Sequence, residues 1–164
     1  MSNISKVLCK PNAFKLQKHQ LFLKGKLNLD RLLLFHGIGS GKTCSAISMA
    51  TSYYEKHGNK QIVVIVPASL RDNFFKELKG PCGNQINHNP LLFDVMSYHG
   101  FVKRYKNNTI DIDNTLVIVD EVQNVISQTG NMYKVFMEAF QNMQDSKLIC
   151  LSATPMFDKP IEIA

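Results

Sequence analysis

At 164 residues, 45% hydrophobic and 20% charged, the chain has the size and composition of one ordinary globular domain, which excludes a disordered, fibrous or low-complexity protein. Its net charge of +6 is modest and spread along the chain, and suits a polyanionic partner as well as a plain basic surface. No apolar run approaches the ~20 residues that cross a bilayer, and no signal-peptide core opens the chain, so a membrane partner is not expected. Cys9, Cys44, Cys82 and Cys150 lie far apart without a C-x-x-C pair. No zinc or disulfide framework is visible, and an intracellular, reducing compartment in cytoplasm, nucleus or virion is expected.

The first predicted element is a helix over 12–24. An apolar strand over 32–35 follows, then Gly37-Ile38-Gly39-Ser40-Gly41-Lys42-Thr43 and a helix over 43–56. Strand, glycine-rich turn and Lys-Thr at a helix start form the arrangement that cradles a nucleotide's phosphates. Glycines let backbone N–H groups converge on phosphate oxygens, and the helix start adds its positive dipole end. Gly37, Ile38, Gly39, Ser40, Gly41 and Cys44 line this cradle. Lys42 is placed for the β- and γ-phosphates and the Thr43 hydroxyl for Mg²⁺. The full pattern asks for glycine five residues before Gly41, where the chain has His36.

Next come a strand over 62–66, a helix over 69–78 and a loop over 80–90. Ser69 suits a helix cap as well as an exposed contact. A strand over 92–96 leads to a helix over 97–105, near whose end Lys103, Arg104 and Lys106 read either as a solvated helix end or as a track for a phosphate backbone. The strand over 116–119 ends in Asp120-Glu121. Two carboxylates at that edge of an open α/β sheet sit where ligands bind. Asp120 is assigned to the Mg²⁺ shell and Glu121 to orienting and deprotonating the attacking water.

A loop over 127–131 and a helix over 132–143 follow, the helix carrying Tyr133, Phe136, Met137 and Phe140 as a core stripe. The strand over 148–151 leads into Ser152-Ala153-Thr154, whose hydroxyls can bond the 120–123 segment, with Pro155 stopping regular structure. Nearly unbroken apolar strands alternating with helices predict an α/β P-loop NTPase fold: a parallel β-sheet flanked by helices on both faces, as one domain over 1–164. His36, His57, His88 and His99 show no metal spacing, and Phe14 suits either adenine stacking or packing.

In this order the segments resemble the first RecA-like lobe of superfamily 2 helicases and translocases, nearest the Swi/Snf-like and poxvirus-type branches of large DNA viruses. Leu16-Gln17-Lys18-His19-Gln20 resembles the adenine-reading Q motif, with Gln20 at the family's glutamine and His19 where Tyr is common. Gly39-Ser40-Gly41-Lys42-Thr43 is similar to motif I, Val66-Pro67-Ala68-Ser69-Leu70 to motif Ia, and Met96-Ser97-Tyr98 to motif Ib. Asp120-Glu121-Val122-Gln123 is similar to motif II, with Gln123 where His is frequent, and Ser152-Ala153-Thr154 to motif III.

The resemblance implies ATP and Mg²⁺ as cofactors and ATP hydrolysis coupled to movement on nucleic acid. It implies contact with a DNA or RNA backbone through Ser69, Arg71, Ser97 and Tyr98. It implies that Gln123, Ser152 and Thr154 join the nucleotide site, and that Ser152 and Thr154 link nucleotide state to lobe motion. It also implies a second RecA-like lobe in the parent chain that supplies an arginine finger, so the isolated lobe is expected to turn over slowly. Viral transcription or replication proteins are implied as further partners. Two other readings stay open: a nucleotide-bound interaction module without catalysis, and a P-loop kinase or metabolic NTPase.

Overall fold

Val and Ile fill the second and fourth strands almost without interruption, and every side chain in both is buried. The computed structural model describes residues 15–37, 39–58, 60–83, 92–126 and 130–154. Its strands are β1 (Arg31–Phe35), β2 (Ile62–Val66), β3 (Phe93–Ser97), β4 (Leu116–Val119) and β5 (Lys147–Ser152). All four pairings are parallel, in the order β1-β5-β4-β2-β3. The helices are α1 (Lys18–Lys24), α2 (Lys42–His57), α3 (Arg71–Lys79), α4 (Tyr98–Lys106), α5 (Gln123–Ile126) and α6 (Asn131–Asn142).

The chain runs outward from β1 through β2 to β3, then turns back through β4 to β5. Right-handed crossovers in opposite directions place their helices on opposite faces. Ile62, Val64 and Val66 accordingly meet Ala46, Ile47 and Met49 of α2 and Phe74 and Leu78 of α3. Val63 and Ile65 meet Phe101 of α4 and Phe136 and Ala139 of α6. β5, inserted between β1 and β4, brings Ser152 level with Phe35, between the phosphate loop and the acid pair.

Several expectations are corrected. The first helix begins at Lys18, where Gln17 and Gln20 form a reciprocal capping box; residues 15–17 are not helical. The helix expected over 69–78 divides into a 3-10 turn, Ala68–Leu70, and α3. Of the aromatic stripe on α6, only Phe136 and Phe140 enter the core; Tyr133 and Met137 are each 38% exposed. The four-residue α5 had no sequence signal. Phe14, Ile38, Pro155 and much of the 80–90 loop lie outside the described residues, and among the described residues no helix is long and apolar enough to cross a membrane.

The absence of a bridged cysteine pair is also corrected. Cys44, in the first turn of α2, forms a disulfide with Cys82, just beyond α3. Spacing could not signal it, because 38 positions separate the two. Closing a loop of that size restricts the unfolded chain, so reduction or Cys82→Ser is expected to lower stability by about 2–4 kcal/mol. Thermal unfolding with and without a reductant checks this; a midpoint indifferent to reductant contradicts it.

Candidate functional site

Beyond β1 the ladder continues for one bond, His36 N–H to the Ser152 carbonyl at 3.0 Å, before the chain turns. Gly39 (φ +78°) and Gly41 (φ +79°) then take left-handed conformations that a side chain would strain. Gly41 is the residue before α2, so Lys42 and Thr43 open the helix, where the first backbone N–H groups have no partner within it. A Cβ on Gly41 would come within 3.0 Å of Gln20 Nε2. Ser40 closes the turn by donating its hydroxyl to the Gly37 carbonyl at 2.7 Å.

Gln20 is only 3% exposed. Its amide donates to the Gly41 carbonyl at 3.4 Å and accepts from Gln17 N–H at 2.9 Å, so it lies against the phosphate loop. Sequence reasoning missed that His36, in the place of the usual glycine, meets His19 edge-on at 5.1 Å. His36 Nδ1 and His19 Nε2 are both buried without a hydrogen-bond partner. Burial, then the neighbouring His19 and Lys42, hold the His36 imidazole below its ordinary pKa.

Opposite the loop, the acid pair leaves β4. Lys42 Nζ reaches Glu121 Oε1 at 2.5 Å. The other Glu121 oxygen accepts from Gln123 Nε2 at 2.5 Å, and Gln123 Oε1 accepts from the Ser152 hydroxyl at 2.7 Å. One continuous chain therefore joins the phosphate loop, the acid strand and β5. Ser152 also reaches the Thr154 carbonyl, while the Thr154 side chain is exposed. An amide suits the position of Gln123 because it can donate at one end and accept at the other. Burial alone would raise the Glu121 pKa; the bonds from Lys42 and Gln123 outweigh it and hold the carboxyl below its usual value.

Asp120 is only 6% exposed, and Oδ1 accepts from Glu121 N–H at 3.0 Å. Burial first, and the Glu121 charge second, push its pKa up to about 6. The fold thus keeps this proton to higher pH than the unfolded chain, and stability falls as pH rises from the ordinary carboxylate value through about 6. Asp120→Asn removes that penalty and is expected to stabilise the fold near neutral pH by about 1–3 kcal/mol, with the gain fading in acid. Unfolding midpoints across pH check this; a variant less stable than wild type at neutral pH contradicts it.

The positions assigned to a nucleic-acid backbone do not behave alike. Ser69 and Arg71 are exposed beyond β2, and Ser69 caps neither the 3-10 turn nor α3; the Arg71 guanidinium lies 6.0 Å from the Phe75 ring. Ser97 caps α4 by accepting from Gly100 N–H at 3.1 Å. Tyr98 is 7% exposed, with its hydroxyl turned inward to the carbonyls of Asp120 and Glu121, so the expected strand contact by its side chain is corrected. Arg104 pairs with Asp94 at 2.6 Å, which leaves Lys103 and Lys106 as the exposed cations of the helix end. Cys44 lies in the first turn of α2 beside the loop, with its sulfur in the disulfide.

The family model described as "Type III restriction enzyme, res subunit" matches residues 12–157. "Putative ATP-dependent RNA helicase R563" of Acanthamoeba polyphaga mimivirus is 34% identical over 97% of this chain and 33% of its own length. "Putative helicase 087L" of Invertebrate iridescent virus 3 is 24% identical over 93% of this chain and 20% of its own. The chain thus spans a third or less of these relatives. Among solved structures, the "Sulfolobus solfataricus SWI2/SNF2 ATPase core in complex with dsDNA" superposes with a TM-score of 0.68 at 17% identity, covering 92% of this chain and 34% of that one. That likeness concerns the fold.

Proposed function

The chain belongs to the type III restriction enzyme res subunit family, ResIII, and from that premise we propose that it is the ATP-binding lobe of an ATP-dependent nucleic-acid helicase or translocase. The carrying observation is the chain Lys42–Glu121–Gln123–Ser152, which joins a phosphate-seeking cation at the start of α2 to a carboxylate beyond β4 and a hydroxyl at the end of β5. In this reading Gly39, Gly41 and the start of α2 present N–H groups to the phosphates, and Lys42 takes the γ-phosphate oxygens. A phosphate competing for Lys42 frees Glu121 to orient a water and accept its proton as the water attacks γ-phosphorus, the bond to the β–γ bridging oxygen breaks and ADP leaves.

The Thr43 hydroxyl and the Asp120 carboxylate are hard oxygen donors that suit Mg²⁺, and the raised pKa of Asp120 marks a buried charge that a divalent ion would neutralise. Bound there, Mg²⁺ would spread the charge that develops on the phosphate oxygens. Gln20 is assigned to the adenine side of the cradle. Ser152 and Thr154 are assigned to passing nucleotide state to a second lobe, which the longer relatives have room to contain. An intracellular site of action belongs to the same reading, although the Cys44–Cys82 bridge argues against a strongly reducing one.

Nucleic acid would meet the lobe at the exposed Ser69 and Arg71, with backbone phosphates and not bases as the contacts. Binding of single-stranded DNA, duplex DNA and single-stranded RNA, titrated against salt, tests this. A log–log slope near −1 per phosphate contact is expected, shallower by about 1 in Arg71→Ala. Affinity indifferent to salt contradicts it.

A further inference from the structure

Tyr98 opens α4, yet its hydroxyl reaches across to the end of β4. It donates to the Asp120 carbonyl at 2.5 Å and lies 3.0 Å from the Glu121 carbonyl, while the Asn124 side chain bonds to it. Its ring is fixed among core side chains, edge-on to Phe136 at 6.1 Å. The two carbonyls bracket the Glu121 α-carbon, and Glu121 has φ +51°, a left-handed conformation that a glutamate seldom takes. In that conformation successive carbonyls face the same side, so one hydroxyl shared between them fixes both backbone torsions of Glu121. Any return to the right-handed or extended region swings the carboxylate away from Lys42 and Gln123.

We infer that Tyr98 is a positioning residue for hydrolysis: its hydroxyl holds Glu121 in the left-handed conformation that aims the carboxylate at the phosphate cradle. Such strain persists only where the surroundings over-determine it, and here the restraint comes from a different strand–helix junction. The inference rests on the proposed hydrolytic reading and adds to it a residue that touches neither nucleotide nor water.

The test is steady-state ATP hydrolysis by the full-length protein as wild type, Tyr98→Phe, Asn124→Ala and Glu121→Gln. Phenylalanine keeps the ring and removes only the hydroxyl. Misplacing a catalytic group by about 1 Å can cost ~10²-fold, so kcat of Tyr98→Phe is expected to fall by about that factor with KM for ATP and the unfolding midpoint little changed. Asn124→Ala is expected to show a smaller loss of the same kind, and it decides the matter should Tyr98→Phe not fold. A folded Tyr98→Phe with wild-type kcat overturns the inference, as does a loss that resides in KM. A wild type without turnover overturns the hydrolytic reading itself, and Glu121→Gln separates that case by showing whether any turnover seen belongs to this site.

Discussion

Glu121→Gln in the full-length protein is expected to lower ATP turnover by about 10²–10⁴-fold while leaving nucleotide bound. The carboxylate is already ionised near neutral pH, because the bonds from Lys42 and Gln123 outweigh the cost of burying it. It is therefore ready to accept a proton once phosphate draws Lys42 away. Glutamine preserves size and one acceptor oxygen but cannot take the proton. The fold should tolerate it, since Glu121 lies at the mouth of the site, the remaining amide oxygen keeps one of the two bonds from Lys42 and Gln123, and Gln123 keeps its bond from Ser152. Turnover and equilibrium binding of a fluorescent ATP analogue, measured together, separate chemistry from affinity. Undiminished turnover would remove Glu121 from the mechanism.

Lys42→Ala is expected to remove turnover and most nucleotide affinity together. Loss of one preorganised donor to developing charge costs about 10²–10³ in rate, and this lysine also supplies the cation that Glu121 faces at 2.5 Å. Without it, Glu121 loses the strongest influence holding its pKa down, so residual activity should shift to higher pH. The contrast with Glu121→Gln is diagnostic: the lysine variant fails to bind and the glutamine variant binds without reacting. A Lys42→Ala protein that binds and hydrolyses ATP like wild type would make the glycine loop a structural turn only.

The features legible in the sequence are those carried by local spacing. Val-Ile runs marked β2 and β4 because both faces of those strands are covered, and the glycines of the phosphate loop announced the positive φ values found at Gly39 and Gly41. The acid pair was legible for the same reason, as the polar end of a buried strand. What escaped depends on segments distant in sequence. Tyr98 follows a strand like an edge residue, and only the packing of α4 against α6 and the return of β4 beside β2 turn it inward. Cys44 and Cys82 meet because α3 packs beside α2 on the same face of the sheet. Gln123, read as a departure from the usual histidine, serves both neighbours because β5 lies beside β4 and delivers Ser152 to its carbonyl oxygen.

The most direct measurement is Mg²⁺-dependent ATP turnover by the full-length protein, alone and with single-stranded DNA, duplex DNA or single-stranded RNA, beside Lys42→Ala. The proposed function predicts that one of these polymers raises the rate and that the variant loses both basal and stimulated turnover. A rate that no nucleic acid changes, or one that survives in Lys42→Ala, would contradict it.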